Sequence, residues 1–437
     1  MSSGLQLLQA LISPVKEASH TTAQVIAAFG AVDVQAKEWT SLLPTLLEFV
    51  SNPEAPEMAK ISSLESLGYL CDTMDPDLVD GVDKGTVDLI LNCIVSGMAA
   101  TCTNNIRAAA VTAMANSLKF CSKNFEVQEE RDAIMQAMCD AAQCTDARVR
   151  MKSFQCMDEV AENFYEYLPP YVEAMFSLTV AAMSNDEEEV GKQAVEFWST
   201  VCAQEQDIAD MLEDDPEAVV TRHNIIPQAV STLMPVILTL LLRQPEDPEE
   251  ENYSIQNNAS VLLVYMSEVL GDPILDHVIP FISSNIVSSE WRNKEAALTA
   301  FGSILEGPSA EKCLPIIQAA VQMLIECFQF DHPTGKFGVV CRSCKYEILP
   351  NHLHTALLCS ALLSVLVRAS AAFALGRVCE FHSTAIPPEH LPALLTALVG
   401  SLQDPSTKVA VQGCYSVRVK TRCELFVYSL CVVCLML

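Results

Sequence analysis

Apolar positions recur along this chain with the spacing of helices, and the helices themselves recur with a longer period. The recurring unit is a small polar turn, an aliphatic-plus-basic pair, a small residue four positions after the aliphatic one, and an apolar helical face. It reads NNIRAAAVTAMANSL from Asn104, TDARVRMKSFQCMDEVA from Thr145 and NDEEEVGKQAVEFWSTVC from Asn185. It returns as YSIQNNASVLLVYMSEVL from Tyr253, SEWRNKEAALTAFGSILEG from Ser289, VRASAAFALGRVCE from Val367 and DPSTKVAVQGCYS from Asp404, with a weaker copy from Pro56. Anchored at the residue before the basic slot, the copies fall at Ala59, Ile106, Val149, Val190, Ile255, Arg292, Val367 and Val409. The spacings are 47, 43, 41, 65, 37, 75 and 42 residues. Most lie near the roughly 40–47 residues of HEAT and armadillo repeats, and the two long ones equal one repeat plus an insertion.

A second apolar helix lies between anchors, at Val87–Met98, Arg131–Ala142, Tyr171–Met183 and Ile226–Arg243. Two helices per period predict an all-α HEAT-repeat solenoid of about eight to nine repeats, an A helix followed by a B helix that carries the signature. The armadillo alternative needs a third short helix, which the period lacks. In each turn the Asp or Asn is placed to accept backbone N–H bonds at the B-helix start. The basic residue is placed to reach an acid of a neighbouring turn, and the small residue lets helices approach. Trp198 and Trp291 fall at helical core spacing and read as packing residues.

Two stretches break the period. Gln204–Arg222 reads as a loop, and after the next helix comes the acidic run QPEDPEEEN at Gln244–Asn252, whose prolines and acids cannot extend a helix. The second break, 334–366, is foreign in composition, and so is the tail 417–437; both read as a disordered insert or as read-through of untranslated sequence. The expected organisation is therefore HEAT repeats over 1–333 and 367–416, with an acidic loop at 244–252.

Composition narrows the function. Lys and Arg number 26 against 55 Asp and Glu, a net charge of −29, and the residues before 334 carry −33 of it against +4 for the remainder. Such acidity argues against a nucleic-acid binder, whose phosphate contacts need clustered Lys and Arg, and suits a basic protein partner. The 18 Cys are scattered through helical patterns, and the N-terminus lacks a signal peptide's basic start and apolar core, so reduced thiols in a cytosolic or nuclear protein are expected. No run is long enough for a membrane span. Cys341, Cys344, His352 and His354 supply enough ligands for zinc, but the pairs are close and the segment is foreign, so no metal site is assigned. There is no GxSxG, Walker loop or HExxH, so neither an enzyme nor a cofactor is expected.

Several strings are similar to the importin-beta family of nuclear transport receptors: SLESLGYLCDTMDP (Ser63–Pro76), IMQAMCDAAQCTDARVR (Ile134–Arg150), EFWSTVCAQEQDI (Glu196–Ile208), WRNKEAALTAFGSILEGP (Trp291–Pro308) and FALGRVCE (Phe373–Glu380). Their order and spacing match over about Ser19–Gln329 and Val367–Tyr415. The resemblance implies a HEAT superhelix that begins near the family's third repeat and stops near its eleventh. It implies carriage of protein through nuclear pores, between cytoplasm and nucleus. The implied partners are nucleoporins bearing phenylalanine–glycine (FG) repeats, the GTP form of the small GTPase Ran, and importin alpha or basic cargo signals.

The family's nucleoporin groove lies between neighbouring A helices, and its positions match Leu91, Asn92 and Val95 on one helix and Glu130, Ala133 and Ile134 on the next. Leu91 and Val95 share a helical face, so they can form a shallow apolar groove for a Phe ring, with Glu130 and Asn92 bonding the peptide backbone. The family places a large aromatic where Ala133 stands. Ordinary inter-repeat core is the competing reading. On the groove reading, Ile134→Asp abolishes FG-peptide binding and leaves the helix content intact. Glu246, Asp247, Glu249, Glu250 and Glu251 match the family's acidic loop, which meets basic surfaces of Ran and of cargo. Tyr253 stands where the family has a Trp able to stack on Arg. A solvated, repulsive loop is the alternative for this run. At the level of the whole protein the competing function is a HEAT scaffold of the phosphatase-scaffold or coat-adaptor type.

Overall fold

The structure is a computed structural model; it describes residues 2–36, 41–73, 84–120, 122–244, 254–328 and 351–420. Helices and connecting turns make up the described residues, with no strand among them. The chain divides into two compact units, residues 1–225 and 226–437.

In the first unit the helices are α1 (Ser2–Leu11), α2 (Lys16–Ala36), α3 (Leu42–Ser51), α4 (Glu57–Thr73), α5 (Lys84–Met98) and α6 (Asn104–Ser117). They continue with α7 (Ser122–Glu126), α8 (Gln128–Ala141), α9 (Ala147–Asn163), α10 (Val172–Asn185) and α11 (Glu188–Asp214). The B-type helices α2, α4, α6, α9 and α11 pack side by side as one layer, and the A-type helices α3, α5, α8 and α10 as another, each A helix resting on its own B helix. In the second unit α12 (Ile225–Leu240), α14 (Ile274–Asn285), α16 (Ala310–Phe328) and α18 (Leu391–Leu402) are A-type. There α13 (Ile255–Leu270), α15 (Trp291–Ser303), α17 (Asn351–Phe381) and α19 (Thr407–Lys420) are B-type and pack in series. Helical HEAT architecture is thus the observed fold.

The turn residues act as the pattern requires. The Asp146 carboxylate accepts the Arg148 N–H at 2.9 Å to start α9. The Ser254 hydroxyl accepts the Asn257 N–H at 3.3 Å to start α13. Ahead of α6 the cap is Thr103 rather than Asn104. The B helices approach closely because small residues face each other: a Cβ on Gly68 of α4 would lie 2.7 Å from the Cα of Ala113 on α6.

The basic slot forms a ladder between repeats. Arg107 donates from Nε to the Met98 carbonyl at 3.1 Å and from Nη2 to the Asp140 carbonyl at 3.4 Å, spanning two A helices. Arg150 forks onto Asp186, 36 residues on, with Nε 2.7 Å from Oδ2. Arg368 does the same to Asp404, again 36 residues on, with Nε 2.9 Å from Oδ2. The Arg of one turn therefore holds the Asp that opens the next.

Gln204–Arg222 is not a loop throughout, since α11 runs unbroken to Asp214. Its core stripe continues past Trp198 and Cys202 into a buried carboxylate, Glu205, which accepts a hydrogen bond from the Tyr165 hydroxyl at 2.9 Å and another from the Ile225 N–H. One period does contain a short third helix, α7. Trp198 is fully buried and donates from Nε1 to Thr179 Oγ1 at 3.0 Å, but Trp291 is only half-buried, beneath the Arg292 guanidinium 5.0 Å from its ring centre. In addition, α17 starts at Asn351 and continues through Val367 without a break, so the expected edge at 366 falls inside a helix. Cys341 and Cys344 lie outside the described residues, among which no cluster of three metal-capable side chains occurs. No described helix is long and apolar enough to cross a membrane.

Two groups in the core predict solution behaviour. Burial, with Glu196, Glu159 and Glu162 nearby, raises the Asp158 carboxyl to about 6. A raised carboxyl favours folding while protonated, so this contribution is present below the unfolded value and is lost as pH rises through about 6. Asp158→Asn is therefore expected to raise the melting temperature at about pH 7 and to have little effect at about pH 4, as a melting series against pH would record. Burial likewise pushes the Cys71 and Cys93 thiols up to about 12. Both should stay unmodified by a thiol reagent in the native protein while exposed Cys414 reacts, which mass spectrometry of the labelled chain reports.

Candidate functional site

Helices α5 and α8 are neighbouring A-type helices in direct contact. On α5, Leu91 is 6 % exposed, Val95 one turn on is half-buried, and Asn92 beside them is exposed. On α8, Ile134 is 3 % exposed, Ala133 is exposed and Glu130 half-buried. Leu91 and Ile134 therefore belong to the packed seam, and the surface a ligand can touch is Val95 and Ala133, bordered by Asn92 and Glu130. This changes the meaning of one substitution. Ile134→Asp would place a carboxylate in the seam, where an unpaired charge is costly, so it would damage the fold as well as any groove.

Glu130 is held from two sides. Lys84 Nζ donates to its Oε1 at 3.1 Å, and Asn124 Nδ2 donates to its Oε2 at 2.6 Å. The same Asn124 amide donates to Asp88 Oδ1 at 2.8 Å. Asn124 is buried on α7, so the short extra helix supplies the amide that joins Glu130 of α8 to Asp88 of α5. The repeat pattern does not single out Lys84, Asp88 or Asn124. Lys84, Asp88, Leu91 and Val95 recur every three or four residues on α5, which gives a signal for the first two; Asn124 carries none. Leu89, one turn before Asn92, is a further apolar residue on α5 and is 59 % exposed.

The second set of residues, Glu246, Asp247, Glu249, Glu250, Glu251 and Tyr253, lies outside the described residues. The two ends of that segment are described. Gln244 Nε2 donates to Glu295 Oε2 at 2.6 Å and to the Arg292 carbonyl at 2.7 Å, while Gln256 Nε2 donates to Glu295 Oε1 at 3.1 Å. Thr299 and Ser370 donate to the same carboxylate at 3.3 and 3.0 Å. Burial raises the Glu295 carboxyl against the opposing pull of these hydrogen bonds. One buried carboxylate on α15 thus pins the residues before and after the acidic run. Glu295→Ala would orphan two buried amides, an expected loss of about 2–4 kcal/mol readable by chemical denaturation.

Comparison with known proteins places this geometry. The profile of the family described as IPO5-like, TPR repeats matches residues 15–178. Importin subunit beta-1 of Arabidopsis thaliana is 33% identical over 419 residues, 93% of this chain and 44% of the relative. The Saccharomyces cerevisiae protein of the same name is 31% identical over 400 residues, covering 91% and 42%. Among solved structures, yeast importin-beta (Kap95p) superposes with a TM-score of 0.83 at 29% identity, over 95% of this chain and 44% of that one. Kap95 in its complex with Nup1 gives 0.81 at 29% identity, over the same shares. Kap95p with RanGDP, whose switch loops it brings to the GTP-bound conformation, gives 0.81 at 30%, again over 95% and 44%. The chain is accordingly an importin-beta homologue with the HEAT-repeat fold, matched along more than nine-tenths of its own length and spanning less than half the length of its relatives.

Proposed function

We propose that this chain acts as a nuclear import receptor, carrying protein between cytoplasm and nucleus through the pore. The observation that carries the reading is the likeness to Kap95 in its Nup1 complex, which extends over 95% of the chain. In this reading FG nucleoporins dock between α5 and α8. A Phe ring lies on Val95 and Ala133, above the seam of Leu91 and Ile134, and Glu130 and Asn92 bond the peptide backbone. The locked carboxylate suits such a role, because a pre-set acceptor loses little entropy on binding.

The acidic run is the contact for basic partners: the GTP form of Ran, and importin alpha or basic cargo segments. Glu246, Asp247, Glu249, Glu250 and Glu251 attract Lys- and Arg-rich surfaces by steering that salt screens, and Tyr253 stacks on an incoming Arg. Glu295 ties the two described flanks, Gln244 and Gln256, to one another on α15. No covalent step is involved. A HEAT scaffold without transport activity binds neither Ran–GTP nor FG repeats, so one experiment separates the two. Immobilised Ran loaded with a non-hydrolysable GTP analogue should retain the chain more than Ran–GDP does, and neutralising the five acids should weaken retention at low salt. Equal retention on both forms, or none on either, would sink the proposal.

A further inference from the structure

The B-type face of the first unit carries a groove of about 480 Å³ that the transport reading leaves unused. Its walls come from α2, α4, α6 and α9, four B helices in series. The floor is apolar and half-exposed: Met58 and Ile61 from α4, Ala108 from α6 and Met151 from α9. Of the α6 residues that line the groove, three are alanines, Ala108, Ala109 and Ala113.

The charge around this floor runs against that of the chain. In a protein of net charge −29, the groove is lined by Lys16, Arg148 and Lys152, with Glu65 the single carboxylate among its lining residues. Glu65 is engaged by His20, whose Nδ1 lies 3.3 Å from Oε2. Arg148 is offset by Asp146, with Nη2 2.7 Å from Oδ2. Lys16 and Lys152 make no ion pair with any described residue. They stand at opposite ends of the helix series, on α2 and α9. The Asn116 side-chain amide, also lining the groove, offers a donor and an acceptor to a backbone.

We infer that this groove binds an extended, acidic segment of a partner protein, one in which carboxylates alternate with apolar side chains. Helices in contact lie about 8–10 Å apart, so crossing from α2 to α9 covers roughly 25–30 Å. An extended chain rises about 3.3 Å per residue, so roughly nine residues make that crossing. Side chains of a strand alternate in direction, which sets apolar ones on the methionine-lined floor and leaves acidic ones to reach the two end lysines. A basic segment, the kind the acidic run attracts, meets repulsion here. The two surfaces therefore discriminate by sign, and this inference stands independently of the FG groove.

The test uses the full chain and a fluorescein-labelled nine-residue peptide alternating Glu with Leu, followed by anisotropy. A second peptide carries Lys in place of Glu. Saturable binding of the acidic peptide, weakened by salt through screening and reduced about tenfold in the double variant K16E/K152E, is the expected result. Conservative K16R/K152R should bind like the wild type. K16Q/K152Q, which adds no new charge, serves if the reversal lowers the melting temperature. No binding of the acidic peptide, equal affinity in the neutralised variant, or equal binding of the Lys peptide would overturn the inference.

Discussion

Asp404→Ala is expected to destabilise the second unit by about 3–5 kcal/mol, because it strands a buried guanidinium. The Arg368 and Asp404 side chains are only 3% and 2% exposed. Arg368 reaches Asp404 through both Nε at 2.9 Å and Nη2 at 3.2 Å, and Asp404 also accepts the Ser406 N–H at 2.9 Å ahead of α19. Removing the carboxylate deletes a fork, a cap and the counter-charge at once. Its counterpart, Arg150–Asp186, is 17% and 15% exposed, so water takes over part of the lost interaction and Asp186→Ala should cost less. The hydrogen bond from Arg150 holds the Asp186 carboxyl below its ordinary value, so that pair's contribution is present at neutral pH and lost as acid protonates it. Replacing both Arg368 and Asp404 by apolar residues should recover much of the loss. Urea denaturation of the three variants decides the matter, and an Asp404→Ala protein within about 1 kcal/mol of wild type would refute the ladder's role.

Val95→Asp is expected to weaken FG-peptide binding by about tenfold or more, since it places a desolvated charge where a Phe ring would lie. Val95 is half-buried rather than part of the fully buried core, so the melting temperature should change less than for a core substitution. Ile134 cannot serve, being 3% exposed. Ala133→Phe is the complementary change. It adds an aromatic wall at an exposed α8 position, and the expected outcome is tighter peptide binding, by up to about tenfold. Isothermal titration with an FG peptide reads both. Val95→Asp binding like the wild type would remove the α5–α8 groove from the account.

What the sequence disclosed follows from which interactions repeat. The aliphatic–Arg turn is visible because Arg107, Arg150 and Arg368 each tie one repeat to the next, so the same residue types recur at the same offset. Helices α5, α8 and α10 were legible for the same reason, each presenting an apolar stripe to a B helix. The end of α11 was not. Its core position is Glu205, a carboxylate that is buried only because Tyr165 and Ile225, 40 and 20 residues away, satisfy it. A hydrophobic pattern counts such a residue as polar and predicts a loop. The partners of Glu130 are hidden likewise: Lys84 and Asn124, which hold it, belong to another helix and to a helix outside the period. Pairings that occur once leave no periodic trace.

The most direct test of the central claim is entry into a nucleoporin phase. The labelled chain is added to a hydrogel of FG repeats, with an inert protein of similar mass as reference, and partition is measured by fluorescence. The account predicts enrichment of the chain inside the gel and its reduction by Val95→Asp. Exclusion equal to that of the inert protein would contradict it.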